Sequence, residues 1–166
     1  MKFIEKIKEQ ARKEIKKIVL PETMDERVLK AAEIILQEKI AHLILLGNRE
    51  EILKNHPDLA QVEVIDPLTS TLTNEFQEKL YDLRKEKGMT LEEAGRLLKE
   101  DFMYFACMLV KEGFADGVVS GACHSTANTL RPALQIIKTK KDAKIVSTFF
   151  LMEIPNCEYK ENGIYV

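Results

Sequence analysis

Three short apolar runs, separated by stretches with helical spacing, constrain this chain more than any other feature. Lys17-Ile18-Val19-Leu20-Pro21 is β-branched and stopped by proline, His42 to Leu46 reads HLILL, and Val62-Glu63-Val64-Ile65 ends at Asp66-Pro67. Runs that are apolar without alternation suit strands buried on both faces. Between the first two, Val28, Leu29, Ala32, Ile35 and Leu36 stripe a helix that Asp25 is placed to cap. Gly47-Asn48 then turns the chain into a helical NREEILK segment. An amphipathic helix from about Phe3 to Glu14 precedes them, with Phe3, Ile4, Ile7, Ala11 and Ile15 on one face. The order helix, strand, helix, strand, helix, strand predicts an α/β fold in three αβα layers, with a largely parallel sheet and right-handed crossovers.

The remainder continues the pattern. Phe76, Leu80 and Leu83 predict a helix over Thr73 to Lys87, closed by Gly88. Thr90 and Glu93 form a capping-box pair at the start of the next helix. Asp101 to Glu112 is apolar nearly all round, as a helix packed on every side would be. Ala115 to Gly121 reads as a strand, and about Ser125 to Lys138 as a helix. Lys144 to Ile154 (KIVSTFFLMEI) reads as a long strand too apolar for a wet edge. Tyr159 to Gly163 carries a hairpin turn signal, and Ile164-Tyr165-Val166 begins another strand. No internal repeat, low-complexity segment or obvious linker interrupts the chain.

Composition removes several functional classes. With 25 basic and 27 acidic residues the formal charge is −2, which gives no electrostatic reason to expect nucleic acid or an anionic membrane as partner. Cys107, Cys123 and Cys157 are odd in number and contain no CxxC pair, so neither a disulfide framework nor a structural zinc site is expected. His42 and His56 stand apart and build no metal-ligand cluster, and all three thiols read as packing residues. The N-terminal MKFIEKIKEQARKEIKK lacks the unbroken apolar run of a signal peptide, and no segment has the length of a bilayer span. A reducing cytoplasm is the expected setting.

The stretch from Val118 to Pro132 is where chemistry concentrates: a buried strand, a small-residue turn (Ser120-Gly121-Ala122-Cys123), then a hydroxyl-rich helix start with Arg131 beyond it. A helix amino terminus attracts anions, small residues let an oxyanion approach, and a guanidinium fork suits phosphate. Ligands of open α/β sheets also bind beyond the carboxyl ends of strands. These residues make Gly121, His124, Ser125, Thr126 and Arg131 candidates for an anion site. A plainer reading stands beside it: Ser125 or Thr126 as a helix cap, and Gly121 as a tight turn. No Gly-Lys-Ser/Thr triplet or GxGxxG run is present.

Ser120-Gly121-Ala122-Cys123-His124-Ser125-Thr126, continuing through Thr129-Leu130-Arg131-Pro132-Ala133, resembles the signature of phosphate acetyltransferases and the related phosphate butyryltransferases. The likeness extends in order to Leu20-Pro21-Glu22-Thr23 with Arg27, Leu46-Gly47-Asn48, Leu83 to Gly88, and Ile154-Pro155-Asn156. The Lys85 to Thr90 stretch and Arg84 favour the acetyl branch. The resemblance implies an isocitrate/isopropylmalate dehydrogenase-like fold and reversible acetyl transfer between coenzyme A and inorganic phosphate. It implies Arg131 at the phosphate and acyl end as the catalytic residue. Ser125, Thr126, Gly121 and His124 would line the same pocket, and Arg84 would contact coenzyme A. It further implies acetyl-CoA as substrate, no bound cofactor or metal, and a homodimer.

Members of that family continue into a second α/β domain. The expectation is therefore the N-terminal portion of a two-domain protein, with residues 1–143 in an incomplete first domain and 144–166 as first strands of the second. Such a chain alone is expected to be inactive, because the thiol-activating residues lie elsewhere. It should also self-associate through the apolar Lys144 to Met152 strand. A butyryl-specific relative and a non-catalytic binding module are the alternatives.

Overall fold

The computed structural model describes residues 3–143, 145–147, 152–153 and 164–165. Helix α1 (Phe3–Lys13) leads into β1 (Lys16–Leu20), α2 (Glu26–Glu38), β2 (Ala41–Leu46), α3 (Arg49–Asn55) and β3 (Glu63–Ile65). Then come α4 (Leu72–Arg84), α5 (Leu91–Glu100), α6 (Phe102–Lys111), the short β4 (Gly117–Val118) and α7 (Thr126–Ile136). The cap signals act as their chemistry requires. Asp25 accepts from the Arg27 N–H, Thr90 from the Glu93 N–H, and Gly88 takes the left-handed conformation (φ 85°) where the chain leaves α4.

Strands β1 to β4 form one parallel sheet in the order β3-β2-β1-β4. Its faces are read directly from β2. Leu43 and Leu45 point to one side, where they join Leu20, Leu29, Ala32, Ile52, Leu59 and Val62 under α2 and α3. Ile44 and Leu46 point to the other and join Val19, Phe76, Leu80, Leu98, Phe105 and Ile136 under α4 to α7. Two cores back to back on one sheet are the three-layer αβα arrangement. Helix α6 is buried from Met103 to Leu109, with Phe105 packed on Phe76 at 5.1 Å between ring centroids, so its all-round apolarity reflects contact on every side. Among the described residues no helix is long and apolar enough to cross a membrane.

The chain builds outward from β1 to β2 to β3, then returns past both to place β4 on the opposite side of β1. The strand order therefore reverses between β1 and β4, the kind of point beyond which open α/β sheets bind ligands. Strand β4 is shorter than the expected Ala115 to Gly121. The Val119 N–H still bonds the Val19 carbonyl, but the donors after it turn toward a side chain instead of the ladder.

Most of the expected long strand from Lys144 lies outside the described residues. Ile145 to Ser147 are not in a strand; Met152–Glu153 form β5 and pair antiparallel with β6 (Ile164–Tyr165). The Tyr159 to Gly163 turn and Cys157 also lie outside them. Ile145, Val146 and Met152 are all exposed.

Candidate functional site

The loop leaving β1 carries Glu22, Thr23 and Asp25; the loop leaving β4 runs from Val119 to Ser125. Glu22 is only 1% exposed, and its carboxylate ties the two loops together. Oε2 accepts from the Gly121 and Ala122 N–H groups at 2.8 and 2.9 Å. Oε1 accepts from the Cys123 and His124 N–H groups at 2.7 and 2.8 Å, and contacts His124 Nδ1 at 2.7 Å. Burial by itself would raise the Glu22 carboxyl. The Cys123 and Ala122 amides and the His124 ring outweigh it and hold the group at about 2, so it is ionised near neutral pH.

The small-residue turn is thus an anion cradle, but the anion is the protein's own. The Gly121 and His124 N–H groups, in a turn expected to line an anion pocket, are both given to Glu22. Nothing local in the turn could reveal this, because the acceptor lies about a hundred residues upstream. The available signal was an acidic residue directly after a buried strand, in Leu20-Pro21-Glu22.

A second set of contacts reinforces the first. Arg27 Nη2 bonds Asp25 Oδ2 at 2.6 Å and the Ala122 carbonyl at 3.0 Å, while Cys123 Sγ donates to Asp25 Oδ2 at 3.4 Å. Arg27 holds the Asp25 carboxyl well below the usual carboxylate range. Desolvation, then the Asp25 contact, push the Cys123 thiol up. Cys123 is exposed and bonded to the β1 loop, not packed as expected, because the turn faces out of the sheet; Cys107 is buried in α6, where desolvation raises it to about 12.

His124 also faces Asp101, with Nε2 3.6 Å from Oδ1. Asp101 caps α6 by accepting from the Met103 N–H. Ser125 caps α7, its hydroxyl accepting from the Asn128 N–H at 3.2 Å, which is the plainer of its two sequence readings. Thr126 opens the helix and is exposed, as is Arg131 one turn further on.

Arg84, at the end of α4, is half-buried, and its Nε is buried with no hydrogen-bond partner among the described residues; Ser120 Oγ and Thr129 Oγ1 are in the same state. Tyr104, in α6, is buried. Its hydroxyl donates to Gln135 Oε1 at 3.0 Å, and burial and Asp101 raise its phenol while Arg131 and Arg84 draw it back down.

A 290 Å³ cleft opens beside the turn, lined by Leu20, Glu22, Arg27, Val28, Val119, Ser120 and Ala122 among others. His56, unassigned by its sequence context, is buried between Glu33 (Nδ1 to Oε1, 2.7 Å) and Glu26 (Nε2 to Oε2, 3.1 Å), away from this site. Among the described residues no group of three or more His, Cys, Asp or Glu could hold a metal ion.

Fold and site together define a parallel α/β protein in which Glu22, Asp25, Arg27 and His124 gather at the point where the strand order reverses. A family model described as phosphate acetyl/butaryl transferase matches residues 2–165, and the chain belongs to that family. It is 53% identical to a phosphate acetyltransferase of Thermoanaerobacterium thermosaccharolyticum, covering 100% of this chain and 51% of that protein. It is 51% identical to one of Acetivibrio thermocellus, covering 100% of this chain and 50% of that protein. A phosphotransacetylase from Streptococcus pyogenes superposes with a TM-score of 0.77 at 42% identity, over 83% of this chain and 43% of that one. The chain spans about half the length of the curated relatives it matches.

Proposed function

We propose that this chain supplies the phosphate-side part of an active site that moves an acetyl group reversibly between acetyl-CoA and inorganic phosphate. The observation that carries this reading is that Arg84 Nε is buried with no hydrogen-bond partner among the described residues, as are Ser120 Oγ on the β4 loop and Thr129 Oγ1 in the first turn of α7. Unpaired guanidinium and hydroxyl groups, together with a helix amino terminus, suit a phosphate-bearing ligand. The Thr126 and Ala127 N–H groups precede the hydrogen-bond ladder of α7 and are available to it. Arg131 would act at the phosphate and acyl end, Arg84 on coenzyme A, and Ser125 and Thr126 along the pocket wall. Gly121 and His124 would line the same pocket from the turn.

In the forward direction a phosphate oxygen bonds to the thioester carbonyl carbon, the carbon–sulfur bond breaks, and the coenzyme A thiolate leaves and takes up a proton. Holding phosphate against the thioester lowers the entropic cost of that encounter, and cationic groups stabilise the developing charge. The names of the relatives favour acetyl over butyryl as the acyl group. The reading includes a division near residue 143, a second α/β domain completing the site, a homodimer, and a cytoplasmic setting.

A coupled assay of acetyl phosphate formation tests it. The 166-residue chain alone should turn over little or nothing, and robust turnover would contradict the division of the site. In a protein of the relatives' full length, Arg131→Ala should sharply raise the KM for phosphate; unchanged kinetics would remove Arg131 from the site.

A further inference from the structure

Four consecutive backbone N–H groups, Gly121 to His124, converge on one carboxylate. Such a nest ordinarily binds a free anion. Here the anion is covalently part of the chain, buried, and anchored by β1, so the turn is held whether or not a ligand is present.

The same carboxylate dictates the state of a ring. Oε1 receives the Cys123 and His124 amides and also lies 2.7 Å from His124 Nδ1. An ionised carboxylate has no proton to give, so Nδ1 must be the donor. In the neutral ring the remaining nitrogen, Nε2, then carries the lone pair. Nε2 is directed to the Asp101 side, 3.6 Å from Oδ1, between the starts of α6 and α7.

We propose that Glu22 is a positioning residue of this site: it fixes the β4–α7 turn and holds His124 with the proton on Nδ1, leaving Nε2 as an acceptor for the hydroxyl or thiol proton of a ligand. What Nε2 accepts rests on the proposed acyl transfer, where a protonated phosphate oxygen and the coenzyme A thiol are the groups of that chemistry. The position of the proton on the ring does not depend on it.

The test is 15N NMR of the histidine side chains in the 166-residue chain at neutral pH, with Glu22→Gln as the comparison. The wild-type His124 ring should be the Nδ1–H tautomer. In Glu22→Gln it should become a mixture of the two, and amide exchange at Gly121 to His124 should quicken by about tenfold or more, the equivalent of losing one such bond. A wild-type Nε2–H tautomer, or an unchanged ring and unchanged exchange in Glu22→Gln, overturns the proposal. Should Glu22→Gln not fold, the wild-type tautomer and a 13C titration of the Glu22 carboxyl decide; a carboxyl titrating in the ordinary glutamate range overturns it. A chain with the Nδ1–H tautomer that fails to bind coenzyme A would contradict the proposed function without touching this inference. The Nε2–H tautomer in a chain that binds coenzyme A would do the reverse.

Discussion

Gly47 and Thr23 meet across the carboxyl edge of the sheet so closely that a Cβ on Gly47 would lie 2.7 Å from Thr23 Oγ1. Thr23 cannot swing away freely, because its hydroxyl donates to the Leu46 carbonyl. Gly47 has φ 141°, a conformation that side chains rarely adopt. This contact seats the residue that follows Glu22, and so helps set where that carboxylate sits.

Gly47→Ala should therefore lower unfolding stability by about 1–3 kcal/mol, combining backbone strain with the close contact. Urea denaturation measures this. Amide exchange at Gly121 to His124 should quicken in the same variant, since their acceptor is displaced. A variant as stable as wild type would mean that Thr23 yields at no cost.

His56 gives a pH dependence whose sign is fixed by its partners. Glu33, then Glu26, raise its pKa above the ordinary 6.5, against desolvation. A raised folded value means the contribution to stability is complete below about pH 6.5 and is lost as pH climbs through the folded value. The difference in unfolding free energy between wild type and His56→Ala should accordingly shrink from about pH 6 to about pH 9. A difference that stays flat or grows over that interval would contradict a charged, paired His56.

Phe105 is fully buried against Phe76 in the core beneath α4 to α7. Phe105→Ala should cost about 3–5 kcal/mol of stability, measurable by chemical denaturation. A loss below about 1 kcal/mol would show that the neighbouring helices collapse into the space.

Local chemistry explains why much of this fold was legible from residues alone. Strands β1 to β3 announce themselves by the short apolar runs Ile18 to Leu20, Leu43 to Leu46 and Val64-Ile65, and Asp25, Thr90 and Gly88 mark helix ends because their bonds are formed within a few residues. The seven-residue buried run of α6 is likewise visible as a helix with no polar face. What pattern could not supply is spatial neighbourhood. The strand order, with β4 beside β1, depends on a return past two strands. Glu22 is invisible as the partner of the turn for the same reason, and its pull on the Gly121 to His124 amides is what shortens β4. Arg84 carries no local signal of burial; that its Nε is enclosed emerges only from the packed structure.

The most direct test of the central claim, that Arg84, Arg131 and the start of α7 receive a phosphate-bearing ligand, is amide NMR of the 166-residue chain titrated with coenzyme A. Shifts should cluster at Arg84, Thr126, Ala127 and Arg131, and the affinity should fall about tenfold or more in Arg84→Ala. Shifts confined to other surfaces, or an Arg84→Ala chain that binds as tightly as wild type, would contradict it.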